Sequence, residues 1–480
     1  MQKTITIQPI TRIEGHAKVT INLNAEGNVD DARFHITLLR GFEEFCRGRP
    51  VEEMPRITTS ICGVCPVSHH LASAKAGDAV LGVDIPPAAR KLRELLNAFA
   101  YVEEHLLHFY FLAAPDFIMG PGAPVGERNI FGIIKKMPDV ATKVAMARLH
   151  ANKAVEIIGG RSIHPVAATP GGFSKPLSAT EREKLKEWGK ELLDIAQFSI
   201  KNAKENIFPK YIDLVKTLGV IRTGFMGTVD NEGALDLYDG KIRLMSAGGD
   251  IKEFPVTDYD KHIKEHVEPW SYLKFPYAPE LGPYSLDPDN PGGMYRTNTL
   301  ARINVCDKIR TPLANAELNE FRKTFGRPAQ QTLLYHWARL IELLYNAEHL
   351  NQLLDDPEIT STDTRKAVTV RAARGIGSVE APRGTLIHDY TTDEKGLIKE
   401  VNLIVGTTHN NGPINMSVKQ AAKSLIKNGH YDETILNEIE VAIRAYDPCL
   451  ACATHTLDGR VQVQVDIRDH RGVLLDSFRN

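Results

Sequence analysis

Apolar and polar residues alternate over three short stretches at the start of the chain, residues 3–9, 16–23 and 31–39. A period of two places successive side chains on opposite faces, so each stretch is predicted to be a half-buried β-strand. The sequence Asn-Ala-Glu-Gly-Asn at 24–28 is typical of a turn between the second and third strands. The pattern therefore predicts a small antiparallel sheet at the N-terminus.

Longer stretches repeat apolar residues with a helical period, as Leu92, Leu95 and Leu96 do in the first of them. The predicted helices cover residues 88–114, 139–158, 178–206, 328–355, 416–428 and 433–446. Four of these are long enough to pack as a central bundle. The predicted fold class is therefore α+β and predominantly helical, and the proline- and glycine-rich stretch 268–300 is predicted to be a surface loop.

The composition is that of a large globular chain. Of its 480 residues 42% are hydrophobic, and the formal net charge is −2 with both signs mixed throughout. No basic cluster suits nucleic acid or anionic lipid, and no apolar run approaches membrane-spanning length. No secretory or twin-arginine leader precedes the first strand. The sequence thus predicts a cytoplasmic protein with no membrane span and no nucleic-acid partner.

Four of the six cysteines form two Cys-x-x-Cys pairs at opposite ends of the chain, Cys62 with Cys65 and Cys449 with Cys452. Pairs at this spacing are typical of metal ligands or redox dithiols and not of a disulfide framework. A structural zinc is one interpretation, although a chain of this size and apolar content needs no metal to fold. A thioredoxin-like dithiol explains only one pair. Spacing alone indicates a sulfur-rich metal site and leaves the metal open.

The residues around the two pairs resemble the signature motifs of the large subunit of nickel–iron hydrogenases. The first motif is Cys-Gly-Val-Cys at 62–65 with His69, and the last is Asp-Pro-Cys at 447–449 with Cys452 and His455. Other blocks follow the family's order: Arg-Ile-Glu-Gly-His at 12–16, Arg-Gly-Phe-Glu at 40–43, His-x-x-His-Phe-Tyr at 105–110 and Ala-Pro-Arg-Gly at 381–384. The resemblance implies a hydrogenase large-subunit domain over residues 1–455 that cleaves dihydrogen reversibly and heterolytically.

The resemblance also implies that the four cysteines hold a nickel–iron centre. Cys62 and Cys449 would be terminal nickel ligands, while Cys65 and Cys452 would bridge nickel to iron. Thiolates are strong donors, and nickel stands high in the affinity order of the divalent metals. In the family the iron carries cyanide and carbon monoxide ligands.

Three more residues are implied as proton or ion sites. Glu14 matches the family carboxylate that exchanges protons with a terminal nickel thiolate. Glu43 and His455 match the positions of magnesium ligands near the mature C-terminus, and magnesium is a hard cation suited to oxygen donors. Without the motifs, either acid would be interpreted as an ordinary surface residue.

Pro382 and Arg383 are implied to line the cofactor pocket, with the arginine over the open face of the bimetal site. Asp447 is expected to pair bidentately with Arg383 and to fix the plane of its guanidinium. Because a guanidinium is essentially never deprotonated in proteins, we expect Arg383 to polarise and orient dihydrogen. The Cys449 thiolate is then the expected first proton acceptor.

The chain departs from the family pattern at three places. Ser60 stands where the family often has an arginine two residues before the first cysteine. The acidic position ahead of the His-x-x-His-Phe-Tyr block is assigned to Glu104, with Glu103 next to it as the alternative. His409 replaces the tryptophan of a family motif, and we expect it to be a supporting or surface residue and not a metal ligand.

The residues after His455 are predicted to be a maturation propeptide. Alternating apolar residues at 461–467, a turn at 469–472 and a return strand at 473–475 predict a hairpin within this extension, residues 456–480. The resemblance implies that a dedicated protease removes the extension once nickel-insertion factors have loaded the site.

Electrons must leave the chain through partners. The sequence has no Gly-x-Gly-x-x-Gly nucleotide motif, and its paired cysteines are committed, so iron–sulfur clusters are expected only in a small subunit. The resemblance favours the viologen-reducing type linked to heterodisulfide reductase or a ferredoxin-type acceptor, with an NAD(P)- or deazaflavin-reducing flavin module as the alternative. A metal-free hydrogenase-like module and a zinc-stabilised structural protein are the alternatives from other classes.

Overall fold

The N-terminal sheet predicted from alternation is present, and it consists of β1 (Lys3–Ile7), β2 (Ala17–Leu23) and β3 (Val29–Ile36). The three strands are antiparallel in the order β1-β2-β3. The computed structural model describes residues 3–455, and beyond them only the backbone of residues 464–468 and 474–479. Every second residue of β2 is buried, as its period of two predicts.

Helices dominate the rest of the chain. They are α1 (Phe42–Cys46), α2 (Met54–Thr59), α3 (Pro66–Leu81), α4 (Pro87–Leu106), α5 (Ala114–Ile118), α6 (Ile130–Lys136), α7 (Pro138–Gly159), α8 (Ala179–Asn202), α9 (Ile212–Thr217), α10 (Tyr259–His262), α11 (Thr299–Val305), α12 (Pro312–Phe325), α13 (Tyr335–Asp355), α14 (Gly406–His409), α15 (Asn411–Leu425) and α16 (Glu433–Ala445). The remaining strands are β4 (Ala168–Thr169), β5 (Gly172–Phe173), β6 (Gly224–Val229), β7 (Lys241–Met245), β8 (Ile251–Phe254), β9 (Lys264–His266), β10 (Phe275–Tyr277), β11 (Tyr295–Arg296), β12 (Arg374–Ala381), β13 (Gly384–Thr392), β14 (Ile398–Ile404), β15 (Gln464–Arg468) and β16 (Leu474–Arg479).

Four long helices form the predicted bundle. Helix α4 packs against α7 and α13, and α8 packs against the same two neighbours, so the four helices close a ring. Helix α4 continues through a π-helical turn, Leu107–Ala113, directly into α5. A π-helical turn widens the helix locally and is frequent at functional sites. The predicted fold class, α+β with a central helical bundle, is confirmed.

Helix α3 was not predicted, and it lies at the centre of the molecule against the sheet β12-β13-β14. Its small residues are buried on almost every side, so they show no clear helical period. Gly375 and Gly377 of β12 allow this close approach, because a Cβ at either position would come within 2.3 Å of the α3 backbone. This packing therefore fixes the distance of α3 from the sheet. Because α3 begins directly after Cys65, it also helps to position that cysteine.

The prediction of a surface loop at 268–300 is wrong for part of that stretch. Residues 294–298 are buried, because β11 pairs in parallel with β6 at the edge of the sheet β11-β6-β7-β8. The buried Arg296 side chain donates to Gln330 and to the carbonyl oxygen of Ile221, which ties the stretch to the core.

Strands β15 and β16 pair as an antiparallel hairpin within the C-terminal extension. This agrees with the predicted hairpin, although the predicted turn, residues 461–463 and residue 473 lie outside the described residues. Within the described part of the chain, no helix combines the length and the apolar character that a membrane crossing requires.

Candidate metal centre

Two segments that are 387 residues apart in the chain bring four thiols together. Cys62 Sγ lies 3.4 Å from Cys449 Sγ, and Cys65 Sγ lies 3.1 Å from Cys452 Sγ. The sulfurs of Cys449 and Cys452 are also 3.1 Å apart. All four sulfurs lie within 4.8 Å of one another, and all four residues are buried. The structure thus joins the two predicted pairs into one site.

Local structure places each pair. Cys65 is the residue before the first turn of α3, and Pro66 occupies a position where a missing N–H costs nothing. On the other side, α16 ends at Ala445, and Asp447 adopts a left-handed φ of 51° that turns the chain toward Cys449. The Asn298 amide supports this turn by donating to the carbonyl oxygen of Tyr446 at 2.8 Å.

The thiols differ in how readily they ionise. Hydrogen bonds from Cys449 and the other thiols hold the pKa of Cys62 below its usual range. Burial raises the pKa of Cys449 and Cys452 well above theirs. Four thiolates in a buried site are costly unless a cation compensates them. The donor set, four sulfurs within reach of one ion, therefore fits a soft or borderline divalent metal such as nickel.

Glu14 reaches the site from the strand-like segment after β1. Its backbone N–H donates to the carbonyl oxygen of Pro448 at 3.3 Å, and its carbonyl oxygen accepts from Leu450 N–H at 3.2 Å. These bonds pair the segment in parallel with the second cysteine motif. Glu14 Oε2 then lies 3.2 Å from Cys449 Sγ and accepts from Ala451 N–H at 2.9 Å. Glu14 is half-buried, so this contact links a buried thiol to a residue that is partly exposed to solvent.

Arg383 lies in a tight turn between β12 and β13, formed by Pro382 and Arg383. Gly384 follows with a φ of 132°, and a Cβ there would lie 2.2 Å from Thr297 Oγ1, so only glycine fits. Arg383 Nη1 donates to Glu104 Oε2 at 2.5 Å, and Nη2 donates to Asp447 Oδ1 at 3.2 Å.

The contacts of Arg383 bear on two expectations from the sequence, the choice between Glu104 and Glu103 and the pairing with Asp447. The acidic position assigned to Glu104 reaches Arg383, whereas Glu103 pairs with Arg148. Asp447 lies beside Arg383 as expected, but the expected bidentate fork is wrong. One nitrogen, Nη2, lies 3.2 Å from each Asp447 oxygen, because Glu104 takes the other end of the guanidinium.

The two carboxyl groups and the guanidinium are almost fully buried, with side-chain exposures of 2% for each acid and 4% for Arg383. Burial raises the pKa of both Glu104 and Asp447, and Arg383 opposes that shift. Although burial alone would lower it, the pKa of Arg383 is raised well above its usual range by Asp447, Glu104 and the nearby thiols of Cys449 and Cys65. The guanidinium is a permanent positive charge beside the sulfurs.

Glu43 and His455 approach each other through their backbones. Glu43 N–H donates to the carbonyl oxygen of His455 at 3.4 Å, and the Glu43 carboxylate accepts from Leu403 N–H at 2.9 Å. His455 Nε2 is hydrogen-bonded to the carbonyl oxygen of Cys452. Their shared magnesium site stays a prediction.

The other positions noted in the sequence are also located. Ser60 is exposed, and its carbonyl oxygen lies 3.5 Å from Arg40 Nη2. His409 is fully buried, and its Nδ1 forms a 2.7 Å hydrogen bond with the Tyr295 hydroxyl. His409 is therefore not a surface residue, and its supporting role stays a prediction.

Several residues around the site were not identified from the sequence. Thr407 Oγ1 accepts from Cys449 N–H at 3.0 Å, and His388 Nε2 lies 3.1 Å from His69 Nδ1. The charged side chains of Arg302 and Glu342 are completely buried behind the Arg383 turn. One signal was visible: Glu342 is a charged residue within the most apolar part of the helix predicted at 328–355.

The family profile described as nickel-dependent hydrogenase matches residues 40–120 and 292–455 of the chain. A second profile, described as HoxL-like, matches residues 4–39. All four cysteines and Arg383 fall within the first match, and Glu14 falls within the second.

Relatives that match over nearly their whole length are also hydrogenase subunits. The chain is 46% identical over 479 residues to one subunit of the F420-non-reducing hydrogenase of Methanothermobacter thermautotrophicus, covering 98% of this chain and 99% of the relative. It is 37% identical over 494 residues to the beta subunit of the NAD-reducing hydrogenase HoxS of Cupriavidus necator, covering 99% of each.

A solved structure shows the same fold. The crystal structure of an NAD+-reducing [NiFe]-hydrogenase in the H2-reduced state superposes with a TM-score of 0.89 at 41% identity, covering 94% of this chain and 99% of that chain. The motifs, the four-thiol site and these relatives lead to one conclusion. This chain belongs to the nickel-dependent hydrogenase family, being a large subunit with that family's enzymatic activity.

Proposed function

We propose that this chain cleaves dihydrogen heterolytically and reversibly at a nickel–iron centre held by its four cysteines. The observation that carries the proposal is the position of Cys449 Sγ. It lies among three other sulfurs and at the same time 3.2 Å from the Glu14 carboxylate. A structural zinc site has no need of a half-buried acid in contact with one of its thiols.

The chain's residues would divide the ligation as the family resemblance implies. Cys62 and Cys449 would be terminal nickel ligands, and Cys65 and Cys452 would bridge to an iron with cyanide and carbon monoxide ligands. When bound, the centre supplies the Lewis-acidic site that polarises dihydrogen and takes up its two electrons. The sulfur donor set and its burial support this assignment.

Proton transfer would follow the contacts of Cys449. Its sulfur accepts the proton released from dihydrogen, and Glu14 Oε2 takes that proton over a single 3.2 Å contact. The half-buried Glu14 then releases the proton toward the exterior. The reverse order delivers protons for hydrogen formation.

Arg383 would orient dihydrogen and stabilise developing negative charge beside the sulfurs. The turn at Pro382 and the pairing with Glu104 and Asp447 hold the guanidinium in one place. Because its pKa is raised well above the usual range, Arg383 would act as a fixed charge and not as a base.

Maturation would close the site. Arg40 N–H and Gly41 N–H both donate to the carbonyl oxygen of Thr454, at 3.0 and 3.3 Å. These bonds hold the second cysteine motif against residues 40–43. We propose that Glu43 and His455 share a magnesium ion there. Residues 456–480 would be removed by a protease after nickel insertion.

The electron partners would be a small iron–sulfur protein and further subunits leading to a heterodisulfide reductase or ferredoxin-type acceptor. The 46%-identical relative is named for one of several hydrogenase subunits, which supports a multisubunit complex. Within the described residues, the other cysteines are single buried thiols, Cys46 and Cys306, which form no cluster site. A flavin module that reduces NAD is the second candidate, because the HoxS relative is NAD-reducing. We place the complex in the cytoplasm.

Metal analysis of the purified complex, combined with a viologen-reduction assay under dihydrogen, tests the proposal. We expect nickel and iron in equal amounts at the four-cysteine site, with additional iron only in partner subunits. Zinc in place of nickel, or a metal-free chain that reduces no viologen, would overturn the proposal.

A further inference from the structure

A second buried arginine, Arg302 of α11, lies directly behind the turn that carries Arg383. Its guanidinium donates to the carbonyl oxygens of Ala381 at 2.8 Å and Pro382 at 3.1 Å, the two residues that precede Arg383. Arg302 lies outside all the sequence motifs that resemble the hydrogenase family. Its contacts fix the backbone from which the Arg383 side chain extends.

Two carboxylates complete the contacts of Arg302. Nε and Nη2 donate to the two oxygens of Glu342, each at 2.7 Å, and Nη1 donates to Glu380 Oε2 at 2.9 Å. With the two carbonyl oxygens, all five N–H groups of the guanidinium have an acceptor. All three side chains have an exposure of 0%. The geometry is thus fully determined by direct hydrogen bonds.

Glu342 of α13 also contacts α4, the helix that carries Glu104, the ion-pair partner of Arg383. His105 Nε2 donates to Glu342 Oε2 at 3.2 Å, and His105 is the neighbour of Glu104 on α4. Glu104 is the residue that accepts the 2.5 Å bond from Arg383. One carboxylate therefore connects the turn that carries Arg383 with the helix that carries its partner.

Glu380 anchors the same network to the sheet. Its Oε1 accepts from Thr228 at 2.9 Å and from Thr385 at 2.8 Å, and Thr385 lies just beyond the turn. Glu380 of β12 thus bonds to Thr385 of β13, so the two strands that flank the turn are joined by a side-chain hydrogen bond.

We propose that Arg302 and Glu342 are positioning residues that set the location of the Arg383 guanidinium relative to the four thiols. The proposal rests on the proposed role of Arg383 in orienting dihydrogen. Lysine cannot replace Arg302, because an ammonium group has three donors and no planar fork. Glutamine at position 342 keeps the shape of the side chain but presents an N–H2 group to donors that need an acceptor.

The test compares Glu342→Gln and Arg302→Lys with the wild-type complex. Asp78→Asn is the matched control, since Asp78 pairs at 2.6 Å with Arg93, another fully buried arginine, far along α3 from the cysteines. For each variant, nickel content, thermal unfolding, kcat and KM for dihydrogen are measured. A crystal structure of Glu342→Gln gives the distance from Arg383 Nη1 to Glu104 Oε2.

We expect both variants to keep their nickel and to lose kcat by roughly 10- to 100-fold, because a displacement of about 1 Å at a reacting centre has effects of this size. The crystal structure is expected to show the 2.5 Å contact lengthened or lost. Asp78→Asn is expected to lower thermal stability while its kcat stays within about twofold of wild type, as expected for a change that is independent of the site.

Double variants separate positioning from general stability. If Glu342 acts only through Arg383, its replacement should matter little once Arg383 is changed, because the effects of coupled residues do not add. In an Arg383→Lys background, Glu342→Gln should therefore lower kcat by less than a further factor of about two. Multiplicative losses, an unmoved Arg383 or a failure of both variants to load nickel would overturn the proposal. A wild-type complex without hydrogenase activity would instead contradict the proposed function, and a harmless Arg383→Lys would contradict the role of Arg383.

Discussion

The carboxylate of Glu14 lies 3.2 Å from the sulfur of Cys449, although 435 residues separate them in the chain. Backbone pairing between their two segments sets this distance, since Glu14 bonds to Pro448 and Leu450 on either side of the cysteine. The contact is therefore a property of the fold and not of flexible side chains. In the proposed mechanism, this contact is the first step of the proton's path from the thiol site to the exterior.

Replacement of Glu14 by glutamine should block this proton route. The amide keeps the shape and the hydrogen bond to Ala451 but cannot take a proton from Cys449. We expect hydrogen–deuterium exchange and dihydrogen oxidation to fall by about 100-fold or more, the usual size of a lost general acid–base. Nickel content should be unchanged. Glu26→Gln, at an exposed position in the turn between β2 and β3, is the control, and full-rate exchange in Glu14→Gln would remove Glu14 from the route.

Serine at position 449 should prevent stable nickel binding. A hydroxyl is a harder and far less acidic donor than a thiol, so the four-sulfur set loses the ligand that also contacts Glu14. We expect nickel and activity to be lost together in Cys449→Ser. Cys306→Ser serves as the control, because Cys306 is equally buried but lies outside the four-sulfur site. Metal analysis of the two variants decides the matter, and a nickel-loaded, active Cys449→Ser would contradict the assignment.

Glutamine at position 104 should weaken catalysis more than glutamine at position 103. Glu104 shares the Arg383 guanidinium with Asp447, whereas Glu103 pairs with Arg148. Without the Glu104 charge, Arg383 is drawn toward Asp447 and away from its present place. We expect kcat to fall roughly 10- to 100-fold in Glu104→Gln and by less than about twofold in Glu103→Gln. Equal effects of the two changes would show that the 2.5 Å contact is not functional.

The sequence predicted this centre in part. Ordered motifs identified the four cysteines, Glu14 and Arg383, because such residues recur at fixed local spacings. The resemblance placed Glu14 beside a terminal nickel thiolate but did not say whether this was Cys62 or Cys449. Local spacing contains no record of which distant segments meet, so it did not give the Arg302–Glu342 network. The bidentate pairing expected of Asp447 was wrong because Glu104, which comes from the distant helix α4, takes the other end of the Arg383 guanidinium.

The fold shows the same division. Strands β1, β2 and β3 were predicted because buried and more exposed positions alternate along them. The bundle helices were predicted from large apolar residues at helical spacing, although α13 is buried on almost every side. Helix α3 and strands β12 and β13 are buried on both sides, so no periodicity marks them. The buried part of the 268–300 stretch was missed because its proline and glycine content is typical of exposed loops.

Mild acid should destabilise the protein through buried neutral histidines. Burial lowers the pKa of His70 and of His105 to about 4, below the ordinary value of about 6.5. Between these values the unfolded chain binds protons that the folded chain does not, so the stability is present above pH 6.5 and is lost as the pH falls toward 4. Each such histidine accounts for a loss of up to about 3 kcal/mol.

The dependence can be measured by urea unfolding at a series of pH values. His70 Nε2 accepts from Ala168 N–H at 2.9 Å, a bond that protonation of the ring breaks. In His70→Gln the slope of stability against pH below 6.5 should decrease by about one proton. The exposed His430 is the control, and an unchanged slope in His70→Gln would contradict the assignment.

The active enzyme should end at His455. The thiols of Cys449 and Cys452 must move apart from Cys62 and Cys65 for nickel to enter, and metal binding then couples to closure of the site. In the closed state the backbone of 454–455 is bonded to the segment 40–43. We expect the form that keeps residues 456–480, with its strands β15 and β16, to hold nickel poorly and to be inactive, because the extension would favour the open state from which nickel enters.

Intact-mass measurement of this chain in the active complex tests the expectation directly. We expect a mass that ends at His455, and we expect a cleavage-resistant Thr456→Pro variant to accumulate with the extension attached and little nickel. A chain that stops at residue 455 by design is the matched control for loss of the extension without proteolysis. Residues 456–480 present in a nickel-loaded chain that turns over dihydrogen would show that the extension is a permanent part of the protein.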